Sequence, residues 1–188
     1  MANSNITKKA LAETLKKLGT SKDINKITVS DIVEECGVNR QTFYYHFDDK
    51  FELVKYIYET ELFDPLMEDL SFNNWEPKMI EALKVIKRMR DFFMNTAAAS
   101  SSFFQGYMQK TLFGVFCVAV EDLDPKNQVT EETKQLYARF LTYGTSGVIL
   151  DWIMDGAKVK EEDLVEELKG MFQKTEEIQI TKILNQNK

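Results

Sequence analysis

Apolar residues recur along this chain at intervals of three and four and nowhere alternate at every second position, so the pattern predicts helices and no sheet. A first helix is expected over Asn5 to Gly19, with Ile6, Ala10, Leu11, Leu15 and Leu18 at helical spacing and Gly19 as its stop. The loop Thr20 to Ile27 follows, with Ile24 turned inward. A short helix then opens at Thr28, whose hydroxyl suits a cap while Asp31 reaches back, and Ile27 and Ile32 stand where a hydrophobic staple pairs them. It ends at Gly37, the residue type that tolerates a left-handed backbone. Only Val38 separates Gly37 from Asn39, a good N-cap for the next helix. A connection that short makes the two helices cross steeply, which is helix-turn-helix geometry. A further helix begins at Asp49, with Asp49 and Glu52 as a capping box, and runs through Leu53, Val54, Ile57 and Tyr58 to Pro65, which is expected to end or kink it.

From about Ser71 every periodic segment is again helical. Trp75 to Asn95 carries Met79, Ile80, Leu83, Ile86, Met89 and Phe93 on one side, while Ala97 to Ser102 suits either a loop or a helical continuation. Phe103 to Glu121 is apolar on nearly all sides, as a central helix is. After a polar connection at Pro125, Thr130-Glu-Glu-Thr133 opens a long helix that runs to about Asp155 and is closed by Gly156. Gly144 and Gly147 lie inside it, each costing about 1 kcal/mol against alanine, which points to close approach by another helix, or else to a kink or simple tolerance. The last strong helix opens with Glu161-Glu-Asp163 and shows Leu164, Val165, Leu168, Met171 and Phe172 on one stripe, with Glu176 to Leu184 adding a turn or more. The fold class is all-α: a three-helix helix-turn-helix unit at 1–48, a connecting helix at 49–64, and a helical bundle at 65–188.

Charge at first argues against DNA, because the formal net charge of the 188 residues is -6. Its distribution reverses that reading. Residues 1–60 hold nine Lys or Arg and nine Asp or Glu, so the acidity lies in the remainder. Lys8, Lys9, Lys16, Lys17, Lys22, Lys26, Arg40, Lys50 and Lys55 are then candidates for a phosphate footprint or a plain solvated face, and an acidic body lowers non-specific binding. No apolar run reaches a membrane span and Met1 to Leu18 does not read as a signal peptide, so a cytoplasmic protein is expected. Cys36 and Cys117 show no metal or redox spacing and read as free buried thiols.

The helix after Gly37 carries Val38 and Phe43 for the core and a polar first turn outward. Arg40 can fork onto guanine, Gln41 onto adenine, and the Thr42 methyl can meet thymine; Asn39 stands beside them. These four are the candidate base readers. Thr28, Tyr44, Tyr45, His46 and Lys50 are the candidate phosphate contacts, Lys50 standing at a helix N-terminus suited to an anion. His46 equally suits packing against the next helix.

Gly37-Val38, Thr42-Phe43-Tyr44, His46-Phe47 and Lys50 together resemble the signature of the TetR family of bacterial transcription regulators. Across Met1 to Leu62 the chain looks most like the branch that regulates dihydroxyacetone kinase operons. The resemblance implies a homodimer on a near-palindromic operator of double-stranded DNA, with C-terminal helices that enclose a small-molecule pocket and dimerise through the last two main helices. On that footing Phe92, Phe93, Phe103, Phe104, Tyr107, Met108, Phe113, Phe116 and Tyr143 are candidate pocket residues, though all equally suit a plain core. Gly144, Gly147, Val148, Trp152, Leu164, Leu168 and Phe172 are the candidate dimer interface. The branch resembled uses a partner protein to sense its ligand, so the expected effector is a small molecule or a co-regulator protein.

An enzyme is not expected. His46 is the only histidine, no glycine-rich phosphate loop exists, and Gly144-Thr-Ser-Gly147 lacks the preceding strand of a nucleophile elbow. No cofactor and no metal are implied. The alternative is a helical protein-interaction module of the same fold that no longer binds DNA, against which the exposed polar trio Arg40, Gln41 and Thr42 argues.

Overall fold

The computed structural model describes the backbone of residues 2–71, 74–99, 101–124 and 126–186, and the side chains of 4–71, 74–98, 104–124 and 126–174. Among these residues every regular element is a helix. Helix α1 (Ala2–Gly19) starts earlier than its apolar pattern predicts. Its buried stripe runs through Leu11, Ala12 and Leu15. Ile6 and Ala10, expected on that stripe, lie around the corner and are exposed.

A 3-10 turn (Ile24–Lys26) buries Ile24 and leads into α2 (Val29–Cys36) and α3 (Arg40–His46). Helix α4 (Lys50–Tyr58) does not stop at Pro65. A π-helical turn (Glu59–Phe63) carries it into α5 (Asp64–Met67), so one helical course runs from Lys50 to Met67. The wide turn is the physical reason that proline is accommodated: Pro65 takes the first turn of α5, where its missing N–H costs least, and the Asp64 amide reaches back five residues to Glu59.

The body is built from α6 (Trp75–Arg88), α7 (Arg90–Ala99), α8 (Ser101–Asp122), α9 (Glu131–Met154) and α10 (Glu161–Gln186). The single helix expected over Trp75 to Asn95 is broken at Met89, whose φ of -106° and ψ of 28° leave the helical well. The break lets α6 face α10 while α7 turns to α1, α8 and α9. Helices α8 and α9 form the largest contact. Their connection is tied by Lys134, almost wholly buried, whose Nζ lies 2.9 Å from Glu121, 2.8 Å from Asn127 and 3.5 Å from Asp124. Carboxylates on two sides offset the cost of burying that ammonium. Thr130 caps α9, and the left-handed Gly156 (φ 82°) turns the chain back toward α10.

This packing corrects part of the expected dimer interface. Trp152, Leu164 and Leu168 are buried within the protomer, and the Trp152 indole donates to the Val159 carbonyl at 3.0 Å. Phe172 lies against Trp75 and Phe116, each ring at 5.5 Å. These side chains hold α10 onto the body. The outward face of α9 carries Leu136, Phe140 and Tyr143 instead, 66%, 67% and 59% exposed, with Gly144, Gly147 and Val148 on the same helix. Among the described residues, and beyond the neighbouring backbone of α9 itself, nothing lies within 4 Å of a Cβ added at Gly144 or Gly147, so no close approach inside the protomer accounts for either glycine.

Candidate nucleic-acid interface

The turn between α2 and α3 is assembled from local hydrogen bonds. The Asp31 amide donates to Thr28 Oγ1, while the Asp31 carboxylate accepts from the Thr28 amide at 2.7 Å, closing the capping box. Gly37 sits at φ 73°, and Asn39 caps α3. Phe43 is wholly buried and anchors α3 to the core, with Phe47 beside it at 5.9 Å. With that side pinned inward, Asn39, Arg40, Gln41, Tyr44 and Tyr45 are exposed and Thr42 and His46 are half-buried.

These side chains are not equivalent. Asn39 Oδ1 accepts from both the Thr42 amide and the Thr42 hydroxyl, at 2.7 and 2.9 Å, so part of both side chains is spent on holding the first turn. The Arg40 guanidinium donates to the Ser30 hydroxyl on α2, which braces it across the turn; Gln41 projects with no such tie. Tyr45, 80% exposed, meets the His46 ring edge-on at 4.9 Å.

Lys50 departs from its expected part. Its ammonium donates to the carbonyls of Ile24, Asn25 and Ile27 at 2.8, 2.9 and 2.7 Å. All three N–H bonds are used, so the geometry makes it a clip between α4 and the loop before α2 rather than a phosphate hook. The N-terminus of α4 is likewise occupied, its first amides donating to Asp49. Glu52 reaches the Asp48 amide, one residue before the position a capping box over Asp49 requires. Replacing Lys50 with methionine leaves three carbonyls without their donor and should cost about 1–3 kcal/mol in urea unfolding. A role confined to phosphate would leave stability unchanged and lower only the salt dependence of DNA binding.

The expected basic footprint also narrows. Lys16 pairs with Glu13 and Glu61, Lys17 with Glu35, Lys22 with Asp31 and Lys55 with Glu59. Lys8 lies over the rings of Phe47 and Tyr56. Among the described residues of 1–60, Lys8, Lys9, Lys26, Arg40 and Lys50 form no ion pair with a carboxylate. The bond from the Thr28 amide, with Lys22 beside it, holds the Asp31 carboxyl down at about 2. A carboxyl held below its ordinary 3.8 stabilises the fold above that value and loses the contribution as pH falls toward about 2. Asp31→Asn should therefore flatten the acid side of the melting profile in that window, read as Tm against pH.

The reader is fused to the body. Asn95 Nδ2 donates to the Gly19 carbonyl at 2.7 Å, and a Cβ at Gly19 would stand 2.7 Å from the Phe92 ring, so the end of α1 seats on α7 only because residue 19 has no side chain. Tyr58 of α4 stacks on Phe93 and meets Phe104 edge-on. Phe92, Phe93, Phe104 and Met108, expected around a pocket, are thus packed core at this seam. Tyr107 donates to Glu59 at 2.9 Å, Phe113 is half-buried against the core and Tyr143 faces outward. The Phe103 side chain lies outside the described residues.

A cavity of about 440 Å³ opens elsewhere, between α5, α6, α8, α9 and α10. Of the expected pocket residues it is lined by Phe116; Leu112, Leu141, Thr145 and Phe172 are also in its wall. The sequence offers no signal that selects these residues, because α8 is apolar all round. The Leu136 and Phe140 stripe was legible as an i, i+4 apolar pair but sits on a helix with a second apolar face.

A helix-turn-helix with an exposed reading turn, seated on an all-helical body, defines a DNA-binding transcription regulator. The model of bacterial regulatory proteins of the tetR family matches residues 13–57, and that of a transcriptional regulator C-terminal region matches residues 73–174. The chain belongs to the TetR family of transcription regulators, with an N-terminal DNA-binding domain and a C-terminal regulatory domain. Over 103 residues it is 27% identical to the HTH-type dhaKLM operon transcriptional activator DhaS of Lactococcus lactis, covering 55% of each chain. Over 162 residues it is 24% identical to the uncharacterized HTH-type regulator YxbF of Bacillus subtilis, covering 80% of this chain and 40% of that one. The chain thus spans about half the length of the curated relatives it matches. Its fold is similar to the solved dihydroxyacetone kinase operon activator DhaS (TM-score 0.73, 22% identity, 92% of this chain and 97% of that chain). It is also similar to NalD of Pseudomonas aeruginosa, the secondary repressor of the MexAB-OprM multidrug efflux pump (TM-score 0.58, 17% identity, 90% and 96%). The matched families and relatives are regulators, not enzymes.

Proposed function

We propose that the chain works in the cytoplasm as a homodimer that reads a near-palindromic operator, with 1–48 as reader, 49–64 as connecting helix and 65–188 as effector and dimerisation domain. Asn39, Arg40, Gln41 and Thr42 meet base edges; Thr28, Tyr44, Tyr45 and His46 meet the sugar-phosphate backbone. The observation that carries this reading is the orientation of α3, with Phe43 wholly buried and Arg40, Gln41, Tyr44 and Tyr45 outward. A packing helix has no use for two exposed tyrosines beside an exposed arginine.

The α9 stripe of Leu136, Phe140 and Tyr143, continued by Gly144 and Gly147, supports a two-fold contact in which small residues let two helices approach. Two reading helices about 34 Å apart then enter successive major grooves. A small molecule or a co-regulator protein at the C-terminal domain switches the pair by preferring one spacing of the readers, with a coupling of about 1–3 kcal/mol. The helical course from Lys50 to Met67 supplies the route, since its first residue clips the reader loop and its last turn lies in the cavity wall.

Selection of bound sequences from random duplex DNA, by the full chain with and without cell extract, tests the reading. The expected product is an inverted repeat whose half-site centres are about one helical turn, or a multiple of it, apart. No enriched sequence in either arm contradicts it.

A further inference from the structure

We infer that Ser30 of α2 is a positioning residue for base reading: its hydroxyl accepts a hydrogen bond from the Arg40 guanidinium and holds that side chain of α3 in the pose that reads one base pair, without touching DNA itself. The inference deepens the operator-reading proposal and rests on Arg40 meeting a base edge.

A free arginine on an exposed turn samples many rotamers and gives that freedom up when it docks on a base. Ser30 removes part of it beforehand. Its half-buried side chain is reached across the turn by Nη2 of the exposed Arg40. The platform beneath is fixed: the Thr28 and Asp31 capping box closes α2, Ile32 and Val33 are buried, and Lys22 pairs with Asp31 at 3.1 Å. The other end is fixed as well, because Asn39 accepts from the Thr42 amide and hydroxyl and so holds the turn from which Arg40 springs. The chemistry of the brace suits a reader. A carboxylate at residue 30 would take the guanidinium in a two-bond fork, the same fork that guanine O6 and N7 need, and would neutralise its charge. A hydroxyl takes one N–H and leaves the charge and the remaining donors for DNA. Gln41, the next residue along, projects without such a tie and serves as an internal control. The first helix of a helix-turn-helix crosses the sugar-phosphate backbone, so the competing part for Ser30 is a phosphate contact, which carries no sequence preference.

A double-mutant cycle on DNA tests the inference. Selection from random duplex DNA with the full wild-type chain supplies a consensus duplex. Fluorescence anisotropy at one fixed salt concentration then compares the wild type, Ser30→Ala, Ser30→Thr, Arg40→Ala and the Ser30→Ala, Arg40→Ala double variant on that duplex and on duplexes with each single base-pair change. Arg40→Ala is expected to lose preference at one position in each half-site. Ser30→Ala should lose about two- to tenfold of the preference at that same position, the fold-change of one ordinary hydrogen bond, and leave every other position, that of Gln41 included, as it was. Ser30→Thr, which keeps the hydroxyl, should retain the preference, and Ser30→Ala should change nothing further once Arg40 is alanine. Even weakening of all duplexes by Ser30→Ala would make Ser30 a phosphate contact and overturn the inference. A gain in preference would make the bond a restraint that keeps Arg40 off DNA, and overturns it too. The same holds for unchanged preference in Ser30→Ala, for additive losses in the double variant, and for a loss in Ser30→Thr equal to that in Ser30→Ala; each of these leaves Arg40 a reader. No enriched sequence, or an Arg40→Ala chain with every preference intact, instead removes base reading itself and this inference with it, so the two failures are told apart.

Discussion

Glutamate at Phe140, or leucine at Gly147, is expected to turn the proposed dimer into monomers and to weaken operator binding at least about a thousandfold, the lower end of the usual gap between specific and non-specific DNA affinity. Phe140 is 67% exposed in the protomer, so a carboxylate there meets water in the monomer and an apolar partner only in the dimer. Gly147 sharpens the test. Beyond the neighbouring backbone of its own helix nothing lies within 4 Å of a Cβ added at residue 147, so a side chain starts there without a clash, and in a helix interior leucine gains about 1 kcal/mol over glycine. Sedimentation should therefore report a monomer while circular dichroism reports undiminished helix. An intact dimer in both variants would remove α9 as the contact and with it the reason offered for the two glycines.

Phe43→Ala should cost about 3–5 kcal/mol, a large share of the 5–15 kcal/mol that holds most domains folded. The ring is wholly buried in a helix of seven residues, and a helix that short has no stability of its own. Its loss removes what anchors α3, so the reading turn disorders while the body, held by the Tyr58, Phe93 and Phe104 cluster and by the α8 and α9 pair, persists. Urea unfolding followed by far-ultraviolet circular dichroism should show an early partial transition absent from the wild type. A single transition at the wild-type midpoint would mean that α3 is held by something other than Phe43.

What the sequence disclosed follows from how far each interaction reaches along the chain. Thr28 and Asp31, Asn39 and Thr42, and Thr130 and Thr133 are neighbours within one turn, and these caps and the stop at Gly37 are where local chemistry places them. Lys50 was misread because its partners stand 23 to 26 residues away and are main-chain carbonyls, which leave no trace in side-chain pattern. At Pro65 the regular α-helix is interrupted, as expected, but the chain stays helical through a π turn, because a proline's penalty depends on the turn preceding it and a π turn is not written in residue types. The division between core, cavity and interface was the least legible part. Helices α8 and α9 carry apolar residues on more than one face, and periodicity states that a side chain is apolar without stating which neighbour covers it. Trp152 and Leu164 went inward while Phe140 stayed outward, a difference set by which neighbouring helices cover each face.

The claim beneath the whole reading is that the first turn of α3 touches base edges. Selection from random duplex DNA with wild-type chain and with Arg40→Ala tests it most directly. The expected result is a repeat identical at every position but one in each half-site, where preference is lost at a cost of about 1–3 kcal/mol. An unchanged repeat, or one weakened evenly across all positions, would contradict it.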